Sequence, residues 1–164
     1  MLSRASTQLI RRVATRTMSS EVAAPSTITL NFALPHETIY SAAAVHRVII
    51  PGVEGEYGVG PGHVPVVAQL KPGVLQVLHE EGSDAEKYFV AGGYAMTHGN
   101  STTDVVCPEA VKLDDLDSAA VSKQFEAAKS AYGSASAGTP EQAEAQIDME
   151  VNKAMGLALG LNLA

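Results

Sequence analysis

The sequence predicts a two-part body, an all-β sandwich over residues 26–112 followed by an antiparallel α-helical hairpin over residues 113–164. Three observations carry this. From Ser26 to Lys112 there are 23 Val, Ile or Thr, ten Gly and six Pro in 87 residues, whereas Leu113 to Ala164 holds four Val, Ile or Thr but twelve Ala in 52. β-Branched residues favour strands and alanine favours helix. The first part also breaks into short apolar runs separated by turn residues every eight to twelve positions, the spacing of a sandwich or barrel. The second shows the three-to-four-residue recurrence of amphipathic helices.

In chain order the strand runs are TITLNFA, PHETIY, VHRVII before Pro51-Gly52, VPVVAQL before Lys71-Pro72-Gly73, VLQVLH before Glu81-Gly82-Ser83-Asp84, KYFVA before Gly92-Gly93, YAMTH before Gly99-Asn100, and TTDVVC before Pro108. In VHRVII, His46, Val48 and Ile50 alternate against Val45, Arg47 and Ile49, which suits a strand packed on one side. The Gly-rich stretch from Gly52 to Gly62 reads as a turn. It is no phosphate loop, because Pro61-Gly62-His63 stands where a Walker A loop needs GK[ST]. A dinucleotide fingerprint through Gly58 and Gly60 fails as well, since His63 occupies the third glycine position.

Asp117 is the expected N-cap of the first helix, whose apolar positions are Val121, Phe125, Ala128 and Tyr132. Gly133 to Gly138 breaks it. Thr139-Pro140-Glu141-Gln142 opens the second helix with capping-box spacing and proline at the tolerated first position. Ile147, Val151, Ala154, Ala158 and Leu161 form its expected inward stripe, with Glu144, Asp148 and Asn152 turned away. The tail MGLALGLNLA is more apolar than self-packing of a short hairpin requires, so a partner surface is expected over part of it. Gly156 and Gly160 form a GxxxG pair, but the apolar stretch is about half of what a bilayer needs, so no membrane insertion is expected.

Composition excludes several functions. A core built from 164 residues buries roughly 70% of the unfolded surface, so no metal or disulfide staple is needed. Cys107 is the sole cysteine, and His36, His46, His63, His79 and His98 are scattered without ligand spacing, so no metal or cofactor is expected. No GxSxG elbow or paired nucleophile and base is visible, so no catalytic residue is proposed. The formal charge of -7 conceals an asymmetry. Residues 1–20 carry Arg4, Arg11, Arg12 and Arg16, seven Ser or Thr and no acid, the composition of a mitochondrial transit peptide. The remaining 144 residues hold 7 basic and 18 acidic side chains, a charge of -11 that argues against nucleic-acid binding.

The order of motifs carries a resemblance. Gly55-Glu56-Tyr57-Gly58-Val59-Gly60-Pro61-Gly62-His63-Val64-Pro65, then Leu70-Lys71-Pro72-Gly73, Tyr88-Phe89-Val90 with Gly92-Gly93, Glu109-Ala110, and Leu116-Asp117 before an alanine-rich helix closely resemble the small central-stalk subunit of F-type ATP synthases. That family is called epsilon in bacteria and plastids and delta in mitochondria, and the transit peptide points to the mitochondrial branch. The resemblance implies a non-catalytic rotor subunit with the same sandwich and hairpin. It would link the gamma shaft to the polar loops of the c-ring and transmit torque for ATP synthesis on the matrix side of the inner membrane. It also implies that Glu56 lies toward the c-ring loops, that His63 lies toward gamma, and that gamma and the small mitochondrial epsilon subunit cover the hairpin. Many bacterial relatives carry LDxxRA at the hairpin start, linked to nucleotide binding; here Ala120 stands at the arginine position, so a fixed cation for phosphates is missing. Two other classes fit the composition: a soluble matrix protein-binding module using a sandwich edge, and a lyase-type β-barrel enzyme, which would need histidines and acids converging on one concave face.

Overall fold

The computed structural model describes residues 26–163, so the transit-peptide segment lies outside the described residues. Ten strands come first: β1 (Ile28–Ala33), β2 (Thr38–Val45), β3 (Arg47–Gly52), β4 (Gly55–Val59), β5 (Val66–Leu70), β6 (Gly73–Leu78), β7 (Glu86–Val90), β8 (Gly93–Thr97), β9 (Thr102–Val106) and β10 (Ala110–Lys112). A single 3-10 turn at Leu113–Asp115 leads into α1 (Ser118–Ser134) and α2 (Pro140–Ala158).

The strands pair in the order β10-β7-β6-β3-β5-β8-β9-β1-β2, with β4 on β3. Every pairing is antiparallel except β1 with β9. The sheet folds over on itself into a sandwich. Its two remote ends meet: the Tyr40 hydroxyl on β2 donates to the Glu86 carboxylate on β7 and lies 3.3 Å from the Tyr88 hydroxyl. The alternating positions Ile28, Leu30 and Phe32, Val48 and Ile50, Leu75 and Val77, and Tyr88 and Val90 fill the interior. Phe32 packs edge-on against Tyr88 at 5.6 Å between ring centroids.

Three departures from the sequence reading have physical causes. β2 runs on through Ser41-Ala42-Ala43-Ala44, residues of weak strand preference, because pairing with β1 decides their conformation. A register shift there puts Ala42 at φ 49, and the Asn31 side-chain oxygen accepts from its backbone N–H at 2.7 Å. Val45 is therefore core at the end of β2, and β3 restarts at Arg47. The Gly-rich stretch contributes a strand, β4, closed onto β3 by a two-residue turn at Val53-Glu54. Glycine fits beneath its ring: a Cβ on Gly52 would come within 2.9 Å of the Gly55 carbonyl and 3.3 Å of the Tyr57 ring. β10 adds three residues to the β7 edge.

The hairpin keeps its predicted caps. The Asp117 carboxylate accepts from the Ala119 N–H at 2.9 Å, and the Thr139 hydroxyl accepts from the Gln142 N–H at 3.4 Å. Val121, Phe125 and Ala128 are buried, although Tyr132 is not. The inward face of α2, however, carries Ala145, Asn152 and Gly156. At about 100° per residue this face lies roughly opposite the expected stripe. The stripe has a second surface to meet: Ala154 and Ala158, with Leu157, line a cleft against Val74, Gln76 and Lys87 on the outer face of the sandwich. Ile147 is left 60% exposed. α2 stops where Gly160 adopts φ +75, and the Leu161 N–H returns to the Gly156 carbonyl at 2.8 Å. Gly156 is thus covered by the returning tail, with Leu163 Cγ 2.9 Å from where a Cβ would stand.

Candidate functional site

Pairing in the β3–β4 hairpin runs from Val48 opposite Val59 to Gly52 opposite Gly55, and among the described residues β4 pairs with no other strand. β5 meets the hairpin at its turn end, where the Val53 N–H donates to the Gln69 carbonyl and the Lys71 N–H to the Pro51 carbonyl, both at 3.0 Å. Between them lies an open groove of about 620 Å³, lined by Val53, Glu56, Tyr57, His63, Val64 and Val67 among others. Val53, Val64 and Val67 are 51%, 69% and 72% exposed. Three large exposed valines around one groove are the kind of patch that marks an interaction surface.

Glu56 and His63, the two residues singled out from the sequence, line this same groove. Glu56 also borders the second cleft, between the sandwich and α2, so it sits on the ridge between the two. His63 tilts over the Tyr57 ring at 6.4 Å. Its Nδ1 lies 2.8 Å from the Val64 carbonyl, which can only accept, so Nδ1 carries the hydrogen. The loop is pinned from below, since the Gly62 N–H donates to Oγ of the buried Ser101 at 3.0 Å. Burial pushes the Tyr57 phenol up, and its hydroxyl is buried without a partner. Tyr57, Val53, Val64 and Val67 were not singled out from the sequence. Tyr57 and Val67 are on strands, where alternation alone does not say which face a partner covers, and Val53 and Val64 are in a turn and a loop, where no periodicity applies.

The histidines do not converge. His79 lies against Glu86, His98 against Asp104, and His63 in the groove. Cys107 is 1% exposed and burial pushes its thiol up to about 11, so it holds no thiolate at neutral pH. Among the described residues no three His, Cys, Asp or Glu side chains group to hold a metal. The groove offers shape, apolar contact and two carboxylates, Glu54 and Glu56, at its edge, which is equipment for recognition.

Comparison with known proteins gives concordant results. Residues 27–113 match the family model described as ATP synthase, Delta/Epsilon chain, beta-sandwich domain. The chain is 44% identical over 135 residues to ATP synthase subunit delta', mitochondrial, of Ipomoea batatas, an alignment covering 82% of this chain and 66% of that relative's length. It is 40% identical over 150 residues to ATP synthase subunit delta, mitochondrial, of Eremothecium gossypii, covering 92% of each. Among solved structures, a chain in the Euglena gracilis mitochondrial ATP synthase OSCP/F1/c-ring assembly superposes with a TM-score of 0.76 at 30% identity, covering 83% of both chains.

Proposed function

The chain belongs to the delta/epsilon family of ATP synthase subunits, and from that premise we propose that it is a non-catalytic subunit of the central stalk of a mitochondrial F-type ATP synthase. In this role it joins the gamma shaft to the c-ring and turns with them, transmitting torque for ATP synthesis. A torque-bearing link has to be stiff and must be gripped from two sides. The closed sandwich supplies the stiffness, and the β3–β4 hairpin with the adjoining loop supplies an edge that a partner can grip. Glu56 is assigned to the polar loops of the c-ring and His63 to gamma. The exposed apolar positions of α2, Ile147 and Leu157, are assigned to contacts with gamma and the mitochondrial epsilon subunit.

Electrostatics supports attachment through protein. No helix among the described residues is long and apolar enough to cross a membrane. The body beyond residue 20, with 7 basic and 18 acidic side chains, is repelled by anionic headgroups. The observation that carries the reading is the groove itself, where three exposed valines, from the β3–β4 turn, the following loop and β5, surround Glu56. The test is recovery of partners by the tagged chain from detergent-solubilised mitochondria. Glu56→Lys is expected to reduce c-ring recovery at least about tenfold, 1.4 kcal/mol, with the melting temperature of the isolated protein nearly unchanged. A large fall in melting temperature would make Glu56 a structural turn residue. Recovery of the wild-type chain without gamma or c-ring subunits would refute the functional assignment.

A further inference from the structure

A third cavity, of about 400 Å³, opens along the seam of the helical hairpin. Its walls are Gln124, Ala127, Ala128 and Ala131 of α1 and Asp148 and Asn152 of α2. Asn152 is 8% exposed, although the helical spacing places it with Glu144 and Asp148, away from the expected apolar stripe. Its Nδ2 donates to the Asp148 backbone carbonyl at 2.8 Å. A carbonyl cannot donate, so the amide orientation is settled and Oδ1 is the atom left over. That oxygen is buried without a hydrogen-bond partner. Of the α1 residues on that wall, Ala127, Ala128 and Ala131 have no side-chain donor to give it, and the Gln124 amide does not hydrogen-bond to it. An unmet buried acceptor costs free energy unless something supplies a proton donor.

The surrounding charge indicates which donor. The Asp148 carboxylate lines the same cleft, and α2 carries Glu141, Glu144, Asp148 and Glu150 against Lys153 alone. Alanines on the α1 wall let an incoming backbone approach closely. We propose that this seam receives a lysine or arginine side chain carried by a neighbouring stalk subunit, with Asn152 Oδ1 and the Asp148 carboxylate accepting from its nitrogen. The inference rests on the functional reading above, in which stalk subunits cover the hairpin, and it adds the chemistry of one contact. Burial of Asn152 then has a purpose, because a neutral acceptor inside the seam selects a donor without the desolvation cost of a buried carboxylate.

The test uses the full chain assembled in the ATP synthase. Asn152→Leu keeps the side-chain size and removes the acceptor, so the isolated chain should melt at the same temperature or higher. Its dissociation from the complex during a salt wash should be at least tenfold faster than wild type. Asp148→Asn, at an exposed position, should give a smaller acceleration and flatten the dependence of retention on salt concentration. Wild-type retention by Asn152→Leu overturns the inference, as does a map of the assembled complex in which only water meets Oδ1. Failure of the wild-type chain to co-purify with the stalk would instead refute the functional reading.

Discussion

Removing the charge of Glu86 tests how the sandwich is closed. Its carboxylate accepts from the Tyr40 hydroxyl across the seam, from Tyr88 at 3.4 Å and from Lys112 Nζ at 3.1 Å, with His79 Nε2 at 3.3 Å. The Tyr40 hydrogen bond, helped by Lys112 and His79, holds this carboxyl at about 2 instead of 4.5. The same cluster, burial first and Glu86 next, pushes the Tyr40 phenol upward. A depression of that size corresponds to about 3.4 kcal/mol at roughly 1.36 kcal/mol per unit. The side chain is 41% exposed, so solvent screening reduces the contribution to about 1–2 kcal/mol. Because the folded-state value is the lower one, the contribution is complete above about pH 4.5 and is lost as pH falls toward 2. Glu86→Gln should therefore unfold with about 1–2 kcal/mol less stability than wild type at pH 7, and the gap should shrink by about half at pH 3. Urea titrations followed by circular dichroism at both pH values measure it. An equal gap at pH 7 and pH 3 would show that the carboxylate does not close the seam.

Three further substitutions probe the frame. Gly93 sits at φ +130, and a Cβ there would collide with the Val106 carbonyl oxygen of the paired strand, whereas Gly62 at φ +71 has open space around it. Gly93→Ala should cost about 2–5 kcal/mol, combining roughly 1–2 for the backbone with 1–3 for crowding, and Gly62→Ala only the first part; equal losses in urea midpoint would refute the steric argument. Asp117→Ala should cost about 1 kcal/mol through loss of the α1 cap and should show as faster amide exchange in its first turn, beginning at Ala119.

Much of the frame was legible because local chemistry dictates it. The runs from TITLNFA to TTDVVC announce strands through β-branching and turn residues, and Asp117 and Thr139 announce helix starts through their side-chain oxygens. The Gly-rich β4 was not legible, since glycine has little strand preference and the pairing with β3 holds it extended. The face of α2 was misjudged because Ala154 and Ala158 of its apolar stripe meet the sandwich, while Asn152 faces α1 and Gly156 lies under the returning tail. Hydrophobicity identifies a buried face, but a helix between two surfaces has two of them. Glu56 and His63 were marked by motif alone, and nothing in their spacing shows that they share a groove with three exposed valines.

By itself the sequence determined the family, the division into sandwich and hairpin, the acidic body behind a basic leader, and the helix caps. Each of these depends on residue type and near neighbours. Tertiary structure alone decided that β2 and β7 meet through Tyr40 and Glu86, that β4 offers a free edge, and that Asn152 is buried with one oxygen unmet. Those outcomes depend on which surfaces the folded chain brings together over long separations, and no local pattern encodes that geometry.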